Sequence, residues 1–132
     1  MACILDASAL LALFQDEPGA ALVEEYLRGE GGALVSTVNW AEVLTKVADS
    51  GRDPEAFEKQ VLTAEGATRA LKFVEFSQKA ALWSAKLRPP TRHLGLSLGD
   101  RACLSLALQS GLPVLTADAP WKDLAPNVVL IR

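Results

Sequence analysis

The chain has 132 residues, of which 50% are hydrophobic and 22% charged, and a formal net charge of −3 at pH 7. That much apolar surface excludes an intrinsically disordered tail, and the charged fraction is too low for a solvated helical rod. The length fits a single domain, residues 1–132, built around one sizeable core.

Along the chain, short apolar runs alternate with longer helical stretches. Ala2-Cys3-Ile4-Leu5 predicts a strand ending at Asp6, followed by a short, almost wholly apolar helix from Ala7 to Phe14. Pro18 suits the first turn of a second helix that runs to about Leu27. After the break at Gly29 to Gly32, Ala33 to Ser36 predicts a second strand. Ser36 or Thr37 would cap a third helix, with Trp40, Leu44, Val47 and Ala48 on one face. Asp53-Pro54 opens a fourth helix to about Ala64, and Leu71 to Phe76 predicts a third strand. Ser77 caps a helix to Leu87, Arg88 to Arg92 predicts an extended loop, and Ser97 starts a helix stopped by Gly111. Leu112 to Leu115 and Val128 to Ile131 complete five strands. Strands separated by helices imply an α/β fold with a mainly parallel sheet, whose reactive groups gather at the carboxyl ends of the strands.

Two cysteines, Cys3 and Cys103, are too few for a disulfide framework; their apolar surroundings mark them as core filler. With His93 the only histidine, they argue against zinc. The longest uncharged run, Ala102 to Ala117, is interrupted by Gly111 and Pro113 and falls short of the roughly 20 residues of a spanning helix. The opening Met1-Ala2-Cys3-Ile4-Leu5-Asp6 has no basic region, unlike a signal peptide. A soluble protein of the reducing cytoplasm is the expectation. The surplus hydrophobicity then belongs to buried strands, a protein interface, or both.

Four acids map to one edge of this sheet. Asp6 follows the first strand, Glu42 lies in the helix after the second, Asp100 opens the helix feeding the fourth strand, and Asp118 follows that strand. Converging carboxylates repel and raise one another's pKa, which a divalent cation relieves. Oxygen ligands without nearby Cys or His suit Mg2+ or Mn2+. Each acid also has an ordinary reading. Asp6 can cap a helix, Glu42 can pair with Lys46, Asp100 with Ser97 forms a capping box, and Asp118 before Pro120 suits a turn. Against these, Asp100 aligns with Leu104, Ala107 and Leu108, away from the polar stripe Arg101, Ser105 and Gln109. An inward carboxylate needs a partner or a metal.

Four segments together resemble the PIN-domain ribonucleases of the VapC toxin type. They are Ile4-Leu5-Asp6-Ala7-Ser8-Ala9-Leu10, Asn39-Trp40-Ala41-Glu42, Leu96-Ser97-Leu98-Gly99-Asp100-Arg101-Ala102 and Leu115-Thr116-Ala117-Asp118. Each is weak alone; in order and in register, they span essentially the whole chain. The resemblance implies a three-layer α/β/α sandwich on a five-stranded sheet and a Mg2+- or Mn2+-dependent endoribonuclease. It further implies a VapB-like antitoxin partner and a homodimer. Under it Asp6, Glu42, Asp100 and Asp118 are the metal-binding acids, Ser8 and Thr116 the accompanying hydroxyls, and Asn39 a supporting polar residue. Asp123 competes with Asp118 as the fourth acid; Asp118 is preferred because it stands where the strand ends.

The chemistry that fits is metal-assisted phosphodiester hydrolysis, with no Ser-His pair or thiolate base. An anionic substrate sits oddly with a charge of −3, but setting aside the four acids leaves +1. Lys46, Arg88, Arg92, His93, Arg101 and Lys122 are candidates to grip phosphates, although scattered solubilising charge is the stronger reading for any one of them. Trp40 and Trp83 belong to core or interface. Trp121 is the aromatic best placed to approach substrate, with packing the favoured reading. Ala9, Leu10, Leu13 and Phe14, with the second helix, suit either the core or an antitoxin segment. A catalytically silent PIN-like module that binds RNA or protein is the competing reading, disfavoured by the full set of acids. An acid-pocket phosphotransfer protein ranks third, because Ser8 stands where such a phosphatase wants an Asp and a receiver wants a lysine where the last strand gives Ile131-Arg132.

Overall fold

A computed structural model describes residues 2–64, 66 and 70–132. Five short strands, β1 (Cys3–Leu5), β2 (Ala33–Ser36), β3 (Leu71–Val74), β4 (Val114–Thr116) and β5 (Val128–Leu130), form one sheet in the order β3-β2-β1-β4-β5. Every pairing is parallel, with Ile4 of β1 opposite Leu34 on one side and Val114 on the other. β1 is therefore central, and all three of its residues are buried. That is why its sequence is a continuous apolar run rather than an alternating one. Its side chains still alternate between faces. Cys3 and Leu5 join one hydrophobic cluster, and Ile4 joins the other.

Helices α1 (Ala7–Gln15), α2 (Ala20–Arg28), α3 (Thr37–Asp49) and α4 (Pro54–Thr63) build the first cluster. Phe14, Trp40, Phe57 and Phe73 pack there with ring centroids 4.9–6.2 Å apart. Helices α5 (Gln78–Lys86) and α6 (Arg88–Thr91) lead to α7 (Leu98–Ser110). The second cluster unites Cys103, Leu104 and Ala107 of α7 with Ile4, Val114 and Trp121. The result is the expected three-layer α/β/α sandwich. Among the described residues, no helix is long and apolar enough to cross a membrane.

Three local expectations need correction. The segment Arg88–Arg92 is no extended loop: Arg88–Thr91 is helical and Arg92–Leu94 forms a 3₁₀ turn. Pro89 and Pro90 fall in a first turn, where the missing N–H groups have no intrahelical partner to lose. α2 starts at Ala20 with Gly19 as its cap, two residues later than Pro18 suggests. The polar stripe on α7 is exposed only at Gln109: Arg101 is half-buried, and Ser105 is wholly buried, accepting a hydrogen bond from Gln109 Nε2 at 2.8 Å. α7 is enclosed on more sides than its sequence pattern suggests, because α5 packs against it as well as the sheet.

Candidate acidic site at the carboxyl edge of the sheet

Asp6 leaves the end of β1 and caps α1, as its ordinary reading expects. Its Oδ1 accepts from the Ala9 backbone N–H at 2.8 Å and from Ser8 Oγ at 2.6 Å. Its Oδ2 accepts from Thr116 Oγ1 at 2.6 Å. Thr116 is the last residue of the neighbouring strand β4, so the parallel pairing itself delivers the hydroxyl. Both hydroxyls are committed to this carboxylate and in turn hold the next loop. Ser8 Oγ accepts from the Ala117 N–H at 2.9 Å, and Thr116 Oγ1 accepts from the Asp118 N–H at 3.0 Å.

Asp6 is 5% exposed. Burial pushes its carboxyl up from 3.8 to about 6, against the pull of its three hydrogen-bond donors, and the charge of Asp100 adds to the rise. Glu42 is half-buried on α3. Its carboxyl is also raised, first by burial and then by Asp100, while the bond from Asn39 opposes the shift. The Cys103 thiol, fully enclosed in α7, is raised well above its ordinary value by burial and then by Asp6, Asp100 and Glu42. Three acids from separate parts of the chain thus lie within electrostatic reach of the same buried sulfur.

Asp100 keeps its capping role as well: its Oδ2 accepts from the Ser97 N–H at 3.0 Å, while its own N–H donates to Ser97 Oγ at 3.1 Å. Glu42 forms no ion pair with Lys46. Instead Oε1 accepts from Asn39 Nδ2 at 2.9 Å, and the same amide donates to the Gly99 carbonyl at 3.0 Å. Asn39 is 1% exposed, and its Oδ1 is left without a partner. Asp118 stands apart. It is exposed, and its side chain caps nothing, although its backbone is tied to Thr116. Asp123 is exposed in a turn.

The donor set fits a hard cation, being carboxylate oxygens in a half-dry setting where burial disfavours the ionised form and a bound cation would restore it. Among the described residues, no three acid, His or Cys side chains already surround one point. Gly99 stands in the Asp100 segment of the resemblance without a role of its own; its further signal is a glycine in the first turn of a helix, where alanine is more stable. Of the aromatic candidates, Trp121 is fully buried and packs the second cluster, and Trp83 lies at the surface beneath Lys86. His93 is exposed. Ala9 and Leu10 are fully buried, so of the four α1 residues proposed as antitoxin contacts only Leu13 and Phe14 reach the surface.

No protein of curated function matches the sequence. Solved structures match its fold. The Klebsiella pneumoniae toxin-antitoxin complex aligns with a TM-score of 0.69 at 23% identity, covering 98% of each chain. VapBC2 from Rickettsia felis, bound to a DNA fragment from its promoter, aligns at 0.70 and 20% identity, covering 98% of this chain and 97% of that one. FitAcB from Neisseria gonorrhoeae aligns at 0.71 and 19%, covering 98% and 96%. The PIN domain family profile matches residues 3–126. This chain belongs to the PIN-domain family.

Proposed function

We propose that this protein is a divalent-metal-dependent endoribonuclease of the cytoplasm and the toxin of a toxin–antitoxin pair. The observation that carries this reading is Asp6: a nearly buried carboxylate at the end of the central strand, oriented by three donors and facing the charge of Asp100. Asp6, Glu42 and Asp100 would hold the ion, with Asp118 as the fourth acid. A bound Mg2+ or Mn2+ supplies a water of lowered pKa and positive charge against the phosphate and the leaving oxygen.

The chain's own residues do the positioning. Ser8 and Thr116 donate to opposite oxygens of Asp6 and so fix the plane of its carboxylate. They are not nucleophiles, because each hydroxyl proton is already given to Asp6 and the site offers no stronger base. Asn39 holds Glu42 against α7. The VapBC and toxin-antitoxin neighbours support a VapB-like antitoxin as partner, and a homodimer is part of the same proposal. RNA is the substrate in this reading.

Cleavage of RNA by the purified chain, with and without chelator and beside Asp6→Asn, tests the proposal. Cleavage that requires Mg2+ or Mn2+ and disappears in Asp6→Asn is the expected result. Undiminished cleavage in chelator overturns the metal mechanism, and RNA binding without cleavage at any metal concentration establishes the silent module instead.

A further inference from the structure

Gly99 lies buried in the first turn of α7 with an ordinary helical backbone. The local conformation does not need glycine, and alanine is the better helix former. What a side chain there would meet is Glu42: a Cβ on Gly99 overlaps the Glu42 carboxylate carbon and Oε1, and comes within 2.7 Å of Oε2. The three atoms nearest that position all belong to the Glu42 carboxylate. The carboxylate therefore lies directly on the bare backbone of α7. At the same point, Asn39 Nδ2 bridges Glu42 Oε1 and the Gly99 carbonyl, stitching α3 to α7. Asn39 cannot turn its amide around, since its Oδ1 would then face two acceptors.

We infer that Gly99 is a positioning residue for Glu42: its missing side chain forms the seat in which the Glu42 carboxylate rests, and Asn39 locks it there. The consequence for metal binding rests on the function proposed above; the steric relation does not. The crowded atoms are the far end of a flexible side chain. A methyl group at residue 99 thus displaces the carboxylate rather than the backbone, and the protein stays folded while Glu42 swings out of register with Asp6 and Asp100.

The test uses the full chain as Gly99→Ala, Glu42→Ala and the double variant. In metal-free protein, the side-chain carboxyl of Glu42 is followed by carbon-13 NMR through a pH titration. In Gly99→Ala its titration should fall toward that of a solvated glutamate, because the group has left its half-buried seat. Mn2+ affinity, read by electron paramagnetic resonance, should drop by about tenfold or more. In the Glu42→Ala background, Gly99→Ala should leave both thermal stability and residual Mn2+ affinity undiminished, since nothing remains to displace. An unchanged Glu42 titration in Gly99→Ala overturns the inference. So does an equal loss of stability or Mn2+ affinity with and without Glu42. Should the wild-type chain bind no Mn2+, the functional reading fails, and the Glu42 titration still decides the role of Gly99.

Discussion

Replacing Asp6 by Asn keeps the shape of a side chain that is 5% exposed and removes its charge. The hydrogen bonds survive: an amide oxygen can accept from Ser8 and Ala9, and the Thr116 hydroxyl can turn to accept from the new NH2 group. The energetic difference is the buried charge. Burial lifts the folded-state carboxyl from 3.8 to about 6. A raised value means stability that is present below pH 3.8 and is lost as pH rises through about 6. At about 1.4 kcal/mol for each tenfold change in proton affinity, the gap corresponds to about 3 kcal/mol. Asp6→Asn, neutral throughout, escapes that loss. Urea denaturation in the presence of chelator should find the two proteins equally stable near pH 4. By pH 7.5 the variant should be the more stable by about 3 kcal/mol. Added Mn2+ should then stabilise the wild type and leave the variant unmoved. A difference that is flat across this range, or a variant less stable than wild type at pH 7.5, would refute the reasoning that Asp6 is held ionised at a cost the ion relieves.

Three further outcomes follow from the same geometry. Thr116→Val deletes the donor to Asp6 Oδ2 and the acceptor of the Asp118 N–H; it should cost about 1–3 kcal/mol at neutral pH by denaturation and move the Asp6 titration further up by carbon-13 NMR. Asn39→Ala leaves the buried Gly99 carbonyl and Glu42 without their shared donor, and a stability loss of about 1–3 kcal/mol together with weaker Mn2+ binding is expected. Trp121→Ala should cost about 3–5 kcal/mol in urea, as for a core aromatic, whereas Trp121→Phe should retain RNA cleavage; strong loss of cleavage in a stable Trp121→Phe would restore the stacking role that its burial argues against.

Local chemistry made much of the fold legible. The apolar run before Asp6, the caps at Ser36, Asp53, Ser77 and Ser97, and the stop at Gly111 all lie within a few residues of what they control. Asp6, Ser8 and Thr116 could be grouped because strand ends of a parallel sheet share an edge. What sequence could not supply was third-element packing. Ser105 looks like a surface residue yet is buried in a helix that packs against α5 as well as the sheet, and Ala48 looks like core yet is exposed. The Pro-Pro pair reads as a helix breaker unless it falls in a first turn, as it does in α6. Gly99 is the plainest case, since its significance resides in Glu42, far away in sequence and touching it only once α3 meets α7. Asp118 and Asp123 remain alike in exposure, so the preference for Asp118 rests on its backbone tie to Thr116.

The most direct trial of the central claim is anomalous diffraction from crystals of the wild-type chain soaked in Mn2+. A peak at the carboxyl edge of β1, beside the Asp6 carboxylate and flanked by Glu42 and Asp100, is the predicted result. Saturating Mn2+ that supports RNA cleavage yet leaves that edge without a peak would contradict it.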